Sequence, residues 1–310
     1  MNWSEVEAWV VTDGKPGMEN QCVGLAEAVG ARTTVKRIKV GKPWRWLSPW
    51  PVLTPLSAVD PPLVPPWPRL LIASGRQSIG PALRVKAAAS CFTVQIQDPV
   101  AARDRFDLIV PPRHDKLAGA NVLPTRGALH RVTPARLKAE AEIWRASLAH
   151  LPRPLVAVLI GGANSAYRLG AAEMTVLAAQ LRGLGAGLAI TPSRRTDPKA
   201  VEALKVGLEG AAAMIWDGQG ENPYFGYLGL ADHVLVTCDS VSMTSEALAT
   251  AKPVHVIQLP GGNAKFNAFH DGLMADGLTR RFDGRLQNWT YVPPDDTGMV
   301  AAEIRRRMGR

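Results

Sequence analysis

The segment HVLVTCDSVSMTSEA, residues 233–247, joins a short apolar run directly to a serine-rich stretch. Its first part, His233 to Thr237, is rich in β-branched residues, which predicts a buried strand. The residues from Ser240 onward have the composition of a helix start, where serine caps free N–H groups. Ligands of open α/β sheets bind beyond the carboxyl ends of the strands, so this junction is a candidate ligand site.

Two interpretations of this junction remain open. Serine hydroxyls and backbone N–H groups at a helix start can bind phosphate oxygens, and Glu246 can accept hydrogen bonds from ribose hydroxyls. The alternative is a purely structural helix start, in which Glu246 completes a capping box. We favour the binding function, because the same helix can serve both purposes.

The second half of the chain repeats this pattern of strands followed by polar turns. Further strands are predicted at Leu155 to Ile160, Gly187 to Thr191, Ala213 to Trp216 and Val254 to Gln258, and a helix at Ala171 to Leu184. Gly161 and Gly162 follow the first of these strands and can let an oxygen-rich ligand approach the backbone. Ser193, Arg194 and Arg195 follow the second and place guanidinium groups where a diphosphate would need them.

The first half of the chain has the same organisation. Its predicted strands are Ala8 to Thr12, Thr33 to Val40, Leu70 to Ser74, Phe92 to Gln97 and Leu108 to Val110, with crossover helices at Gly24 to Val29 and Ile79 to Ala89. This alternation predicts an α/β protein with two Rossmann-like domains, whose open, mostly parallel sheets face a central cleft. The Pro-rich residues 151–154 suggest domains 1–151 and 152–310, with the terminal helix 297–308 packing back on the first.

Two polar turns of the first half are candidates for binding an anion or an acceptor. TDGKPGMENQ, residues 12–21, follows the first strand and contains Asp13, Lys15 and Glu19. SGRQSIGPA, residues 74–82, follows the third strand and begins with Ser74, Gly75 and Arg76. Glycine and serine at a helix start can cradle an anion, and the arginine adds charge. Neither turn has the glycine spacing of a dinucleotide or P-loop site.

An insertion at residues 42–69 interrupts the strand–helix alternation. It contains nine prolines and the four tryptophans Trp44, Trp46, Trp50 and Trp67. We expect a proline-stiffened loop whose tryptophans pack onto the domain, because large aromatic side chains usually bury. The alternative is an interfacial patch that contacts membrane headgroups.

Composition and charge argue against a disulfide-stabilised domain, a thiolate zinc site, an integral membrane protein and a nucleic-acid-binding protein. The chain has 310 residues, 46% of them hydrophobic, three cysteines without C-x-x-C spacing, and no apolar run long enough to cross a bilayer. Its net charge of +9 lies almost entirely in residues 1–150, which hold 20 Lys and Arg against 12 Asp and Glu. An anionic partner is expected, such as a lipid-linked phosphate or a membrane surface. Nucleic acid is disfavoured because the basic residues are scattered and no recognition motif occurs.

The order of these turns resembles two-domain B-type glycosyltransferases, notably the lipid-linked cell-wall N-acetylglucosaminyltransferases. The closer resemblance is to the glycosyltransferase-like family named for a plant mitochondrial-fission factor and found widely in bacteria. It rests on TDGKPGMENQ, SGRQSIGPAL, QDP, SRRT, ENPYFGYLGLAD, TCDSVSMTSEA and KFNAFHDGL, which together cover nearly the whole chain. Sugar transfer is itself inferred for this family, and its plant members are linked to membrane fission.

The resemblance implies roles for particular residues. Donor binding would involve Gly161, Gly162, Ser193, Arg194, Ser242, Met243 and Glu246, with Lys265 and Asn267 near the sugar. The acceptor would lie beside Lys15, Ser74, Gly75 and Arg76. The cell-wall enzymes have a histidine in the first glycine turn, but this chain has none, so Asp13 or Glu19 is the expected general base.

The expected reaction is displacement at an anomeric carbon, with a UDP-sugar as donor and a glycan or lipid-linked acceptor. No Asp-x-Asp occurs, so we expect neither a metal nor a cofactor, and Arg194, Arg195 and Lys265 would supply positive charge. Val254 stands where many retaining relatives have an acidic residue, which favours inversion.

Two rival functions remain. A noncatalytic, membrane-associated adaptor could keep the fold and use the basic first half and the insertion to contact a membrane, because fold alone does not define function. A nucleotide-sugar epimerase is disfavoured, since the chain has neither a dinucleotide fingerprint nor a Tyr-x-x-x-Lys pair. The expected location is the cytoplasm, with peripheral contact at the inner face of a membrane.

Overall fold

The computed structural model describes residues 2–49 and 54–309. Its strands are β1 Glu7–Thr12, β2 Arg32–Arg37, β3 Lys39–Val40, β4 Val59–Asp60, β5 Leu70–Ser74, β6 Phe92–Ile96, β7 Leu108–Val110, β8 Leu155–Ile160, β9 Gly187–Pro192, β10 Ala213–Ile215, β11 His233–Thr237, β12 Val254–Ile257 and β13 Thr279–Arg281. Its α-helices are α1 Pro16–Val29, α2 Trp44–Leu47, α3 Ile79–Ala89, α4 Pro134–Leu148, α5 Ala171–Arg182, α6 Pro198–Gly207, α7 Tyr224–Leu230, α8 Val241–Leu248, α9 Ala264–Ala275 and α10 Asp296–Met308. Short 3-10 helices occur at Trp3–Glu5, Leu56–Ala58, Arg76–Ser78, Arg103–Arg105 and Arg113–Asp115.

The chain divides into two units, each with its own sheet. The first unit contains residues 1–131 and 295–310, and the second contains residues 132–294. The division therefore precedes α4, whereas we predicted it after this helix, at residues 151–154. The reason is that α4 packs closely on α7: the glycines Gly226 and Gly229 leave room for Trp144 and the backbone at Leu137.

The sheet of the first unit has the order β2-β1-β5-β6-β7, and all its strands are parallel. The chain runs from β1 outward to β2 and then returns to the other side of β1 with β5. The strand order therefore reverses between β1 and β5, and the turns that follow these two strands meet at one edge of the sheet. Helix α10 packs on α1, and its Val300 and Ile304 join the core beneath β1.

The tryptophans of the insertion differ in burial. It contains α2 and the strand β4, which pairs antiparallel with β3. Trp67 packs edge to face on Trp9 with ring centroids 5.8 Å apart, and Trp44 contacts the same core. Trp46, in contrast, is 71% exposed. Trp50 lies outside the described residues.

The sheet of the second unit has the order β10-β9-β8-β11-β12-β13 and is also entirely parallel. Its order reverses between β8 and β11, which are the strands that precede the Gly161-Gly162 turn and the Cys238–Ser240 turn. The edge strand β13 was not predicted, because Thr279-Arg280-Arg281 has no apolar run. Across the described residues, no helix is both long and apolar enough to cross a membrane.

Candidate functional site

The two turns at the switch point of the second unit are joined by hydrogen bonds. The Gly161 N–H donates to the hydroxyl of Thr237 at 2.8 Å, and the Gly162 N–H donates to Oδ2 of Asp239 at 2.9 Å. Both glycines directly follow β8, Thr237 is the last residue of β11, and Asp239 lies in the turn after it. The predicted ligand turns after these two strands therefore form one continuous structure.

Asp239 is the centre of this structure, and the sequence analysis did not assign it a role. Its side chain is fully buried, with the Arg195 guanidinium 3.8 Å from Oδ2. Burial raises the pKa of Asp239, while the Gly162 N–H and Arg195 oppose this shift. The acidic residue between strand β11 and the serines of α8 was the available sequence signal.

The glycines of the first turn have a different role from the predicted one. A Cβ on Gly161 would lie 2.2 Å from Oδ2 of Asp239, and one on Gly162 would lie 2.4 Å from the carbonyl oxygen of Arg195. The space beside both residues is therefore filled by the protein itself. We expected this space to admit an oxygen-rich ligand, but at these two Cβ positions it admits the neighbouring turns.

Helix α8 begins next to Asp239 with a capped but still accessible end. The Ser240 hydroxyl accepts the Met243 N–H at 3.3 Å, which makes Ser240 the N-cap. Val241 and Ser242 precede the first residue that can bond within the helix, so their N–H groups have no intrahelical acceptor. Ser242 and Met243 are half-buried. This end of the helix carries the partial positive charge that favours an anion.

Glu246 lies on the buried face of α8. Its carboxylate accepts the hydroxyl of Tyr224 at 2.5 Å, and its side chain has no ionic partner in the described part of the chain. Burial raises the pKa of Glu246 to about 7, an effect that the Tyr224 hydrogen bond partly opposes. A capping box is excluded, because the third residue of α8 is Met243 rather than Glu246.

Tyr224 is a second residue of the candidate site for which the sequence predicted no role. It begins α7, within the motif ENPYFGYLGLAD that contributed to the family resemblance without a role for any residue. Burial and the neighbouring Glu246 raise the pKa of Tyr224 well above its ordinary value. The tyrosine is therefore a hydroxyl donor to Glu246 over the whole physiological pH range.

The other predicted donor residues lie at the same edge of the sheet. Ser193 directly follows β9, and its hydroxyl accepts the Arg195 N–H at 3.1 Å. Arg194 is exposed and has no ion pair within residues 2–49 and 54–309. Lys265 and Asn267 are exposed near the start of α9, which follows β12.

A further turn at this edge, Gly261-Gly262, was not identified from the sequence. Both residues have φ values near +115°, which glycine adopts readily. The Gly262 N–H donates to the carbonyl of Ala166 at 2.7 Å, and a Cβ on Gly261 would lie 2.2 Å from that same oxygen. This turn therefore fixes the start of α9 beside the segment that follows β8.

In the first unit, the switch-point turns surround a cavity of about 550 Å³. Asp13, Lys15, Gly75 and Arg76 line it, as the order of the strands requires. Ser74, predicted with them, is fully buried in the sheet. The turn at Gly75 depends on glycine, whose φ is +96°.

The two candidate bases differ in availability. Both oxygens of Glu19 are bonded to Arg37, at 2.7 and 2.8 Å, and Glu19 is not among the residues that line the cavity. Asp13 does line it, with a side chain only 7% exposed and an ion pair to Lys15 at 2.9 Å. Its other oxygen, Oδ1, accepts no hydrogen bond from the described groups. The structure thus favours Asp13 over Glu19.

No group of three or more His, Cys, Asp or Glu side chains in the described ranges is arranged to hold a metal ion. The three cysteines are buried and unlinked, and burial raises the pKa of the Cys91 thiol to about 11.

Comparison with known proteins identifies relatives and a shared fold. A family model described as mitochondrial fission ELM1 matches residues 16–308. The mitochondrial fission protein ELM1 of Arabidopsis thaliana is 35% identical over an alignment of 273 residues that covers 78% of this chain. The chain spans 64% of that plant protein's length.

Solved structures resemble the whole chain at low sequence identity. Acinetobacter baumannii MurG matches with a TM-score of 0.53 and 13% identity, covering 98% of this chain and 92% of its own. Neisseria meningitidis UDP-GlcNAc 2-epimerase, bound to UDP-GlcNAc, matches with a TM-score of 0.57 and 11% identity, covering 97% and 99%. These matches show the two Rossmann-like domains of the B-type glycosyltransferase fold, as predicted, and at such identities they show the fold alone.

Proposed function

The chain belongs to the mitochondrial fission ELM1 family and has the B-type glycosyltransferase fold, and on this premise we propose that it binds a nucleotide-sugar and transfers the sugar to a hydroxyl acceptor. The plant relative is named for mitochondrial fission rather than for catalysis. The proposal therefore rests on the chemistry of this chain's own residues.

The observation that carries the proposal is the buried pair of Glu246 and Tyr224. A carboxylate hidden from water and bonded to a hydroxyl at 2.5 Å is costly to keep in a protein. The two carboxylate oxygens of Glu246 can accept hydrogen bonds from the hydroxyls of a ribose, and Oε2 already accepts one from the Tyr224 hydroxyl. We take the Tyr224 hydroxyl to show the kind of group that Glu246 binds.

The first turn of α8 supports binding of the diphosphate. The free N–H groups of Val241 and Ser242 lie one to two turns before Glu246 on the same helix, which suits a phosphate and its ribose. Arg194 adds an exposed guanidinium from the turn after β9. A UDP-sugar is the donor we propose, since UDP and UDP-sugars occupy several of the proteins that share the fold.

Asp13 is the proposed general base on the acceptor side. Oδ1 accepts the proton of the acceptor hydroxyl while Lys15 stays bonded to the other oxygen. The acceptor oxygen forms a bond to the anomeric carbon as the bond from that carbon to the diphosphate oxygen breaks. The leaving diphosphate keeps the electron pair and is stabilised by the helix N–H groups and Arg194.

A second candidate function has its own observation. Trp46 and Leu47 are 71% and 50% exposed and lie beside Arg45, a combination that suits the headgroup layer of a membrane. This favours the membrane-associated adaptor, with peripheral contact at a cytoplasmic membrane face. Epimerase activity also stays open to test, because a UDP-GlcNAc 2-epimerase shares the fold without that fold specifying the reaction.

The proposed function is tested by calorimetric titration with UDP-, GDP-, ADP- and CMP-sugars. We expect one nucleotide class to bind, and Glu246→Ala to weaken its binding at least tenfold, the effect of losing hydrogen bonds to a charged group. Glu202→Ala is the matched control, because Glu202 is an exposed carboxylate of the same unit. Product analysis then separates transfer to an acceptor from conversion of the sugar to its epimer.

Ser242→Asp separates binding from folding. A negative charge in the first turn of α8 should stabilise the helix by a few tenths of a kcal/mol to about 1 kcal/mol, while it repels a diphosphate. We expect unchanged or raised stability together with loss of nucleotide-sugar binding. Nucleotide-sugar binding that survives both Glu246→Ala and Ser242→Asp would refute the proposed donor site. Absence of binding with retained membrane recruitment would favour the adaptor.

A further inference from the structure

Two side chains that line the cavity of the first unit each have a buried oxygen atom that lacks a hydrogen-bond donor. Oδ1 of Asp13 and Oε1 of Gln95 accept no bond from any described group, and both side chains line the cavity. The Asp13 side chain is 7% exposed and Gln95 is 2% exposed. Buried polar atoms in folded proteins are almost always bonded, so these two call for donors from a ligand.

The other end of the Gln95 amide is already committed. Its Nε2 donates to the carbonyl of Ile96 at 3.1 Å, which leaves Oε1 as the free acceptor. Gln97, two residues further, also lines the cavity and has a φ of +71°. A non-glycine residue in this conformation is strained, and such strain is concentrated at ligand sites. The cavity therefore has the acceptors and the backbone of a binding site.

The charges at the cavity leave two arginines available for an anion. Lys15 is paired with Asp13, and Asp98 is bonded to Arg103 at 2.6 and 2.8 Å. Arg45 and Arg76 have no carboxylate partner in the portion of the chain that is described. Arg76 makes one long contact, at 3.4 Å, to a backbone carbonyl. A phosphate would match these two guanidinium groups.

Trp46 provides an exposed aromatic surface at the same cavity. Its side chain is 71% exposed, and the Lys42 ammonium lies 4.9 Å from the ring centroid. A large indole left in water is unusual in a chain that buries Trp9 and partly buries Trp67 nearby. Its apolar face can cover the face of a sugar ring, while the ring hydroxyls reach the buried acceptors.

We propose that this cavity binds a sugar phosphate, that is, a hydroxyl-bearing ring attached to a phosphate, either free or carried by a lipid. The ring hydroxyls donate to Asp13 and Gln95, the phosphate contacts Arg45 and Arg76, and Trp46 covers the ring. That this sugar phosphate is the acceptor of the sugar transfer rests on the proposed function, whereas its binding to the cavity does not.

Calorimetry with glucose 1-phosphate, inorganic phosphate and glucose tests this proposal. We expect glucose 1-phosphate to bind more tightly than either part alone. Gln95→Leu should weaken the binding of glucose 1-phosphate roughly five- to tenfold, because one hydrogen bond is lost, without changing the binding of inorganic phosphate. Arg76→Gln should weaken the binding of both glucose 1-phosphate and inorganic phosphate. Trp46→Ala should likewise weaken binding of glucose 1-phosphate but not of inorganic phosphate. Because Trp46 is exposed, we expect this variant to fold normally.

Two further variants locate the binding. Arg69→Gln is the matched control, because Arg69 is exposed just before β5, at the opposite end of that strand from Arg76, and should bind glucose 1-phosphate normally. Glu246→Ala should also bind it normally, even if nucleotide-sugar binding is lost or was never present. Equal affinity for phosphate and glucose 1-phosphate, or unchanged binding in both Gln95→Leu and Trp46→Ala, would overturn the proposal.

Vesicles distinguish the two sources of the ligand. Flotation with phosphatidylcholine vesicles, with and without phosphatidylinositol, presents an inositol phosphate on a lipid. Recruitment that requires phosphatidylinositol and fails in Trp46→Ala and Gln95→Leu supports a lipid-linked ligand. Binding of glucose 1-phosphate without recruitment supports a free one. Recruitment that is identical in wild type and both variants, with no binding of glucose 1-phosphate, contradicts the site.

Discussion

Replacing Glu246 with glutamine should stabilise the protein above neutral pH while it removes nucleotide-sugar binding. Burial raises the pKa of Glu246 to about 7, against an ordinary value of 4.5. The unfolded chain therefore releases this proton at lower pH than the folded chain. As the pH rises from 4.5 to 7, the folded state loses stability, and the loss is complete above pH 7. The pKa difference corresponds to about 3 kcal/mol.

Glutamine at residue 246 cannot ionise, yet it keeps an oxygen that accepts the Tyr224 hydroxyl. We expect Glu246→Gln to equal wild type in free energy of unfolding near pH 4.5 and to exceed it by up to about 3 kcal/mol at pH 8. Urea unfolding of both proteins at several pH values measures this difference. Glu202→Gln, an exposed control in the same unit, should show no such pH dependence.

The difference between variant and wild type is the quantity to measure, because another buried group opposes Glu246 in the same pH range. Burial lowers the pKa of His255 to about 4, so as the pH falls from 6.5 the unfolded chain binds a proton at His255 before the folded chain does, and the folded chain loses stability. The two effects partly cancel in the wild type. A variant that is less stable than wild type at pH 8, or a difference that is constant from pH 4.5 to 8, would refute the assignment of a buried, ionising Glu246.

Three further predictions concern stability. His255→Gln should remove a loss in free energy of unfolding of about 3 kcal/mol that the wild type shows as the pH falls from 6.5 to 4, because the pKa of His255 is lower in the folded chain than in the unfolded chain. Urea unfolding at several pH values measures this loss, and parallel pH profiles for variant and wild type would contradict the prediction. Gly161→Ala should cost more than about 2 kcal/mol, because its Cβ would overlap Oδ2 of Asp239; thermal unfolding like that of wild type would contradict this geometry. Ile304→Ala, which truncates a core side chain of α10, should lower the free energy of unfolding by about 2–4 kcal/mol in urea. A decrease below about 1 kcal/mol would mean that α10 is not part of the core of the first unit.

Local sequence patterns were sufficient to predict most of the helices and strands and the turns that carry polar residues. Buried parallel strands are apolar and β-branched over four to six residues, as at Leu155 to Ile160, so their positions follow from local composition. The turn residues after each strand follow from the same pattern. The edge strand Thr279–Arg281 escaped because its stability comes from pairing with β12 rather than from its own apolar residues.

Which turns meet, and which side chains are available for binding, depends on how the sheets assemble and the helices pack. The strand order reverses between β1 and β5 and between β8 and β11, and this reversal is a property of sheet assembly that no local pattern encodes. It brings Asp239 to Gly162 across 77 residues, and helix packing brings Tyr224 of α7 to Glu246 of α8. Likewise, Glu19 and Asp13 look equivalent in one turn, but only packing shows that Glu19 is bonded to Arg37, whereas Asp13 lines the cavity and its Oδ1 has no hydrogen-bond donor among the described groups. Such pairings depend on contacts between residues distant in the chain, which form only when the helices pack on the sheets.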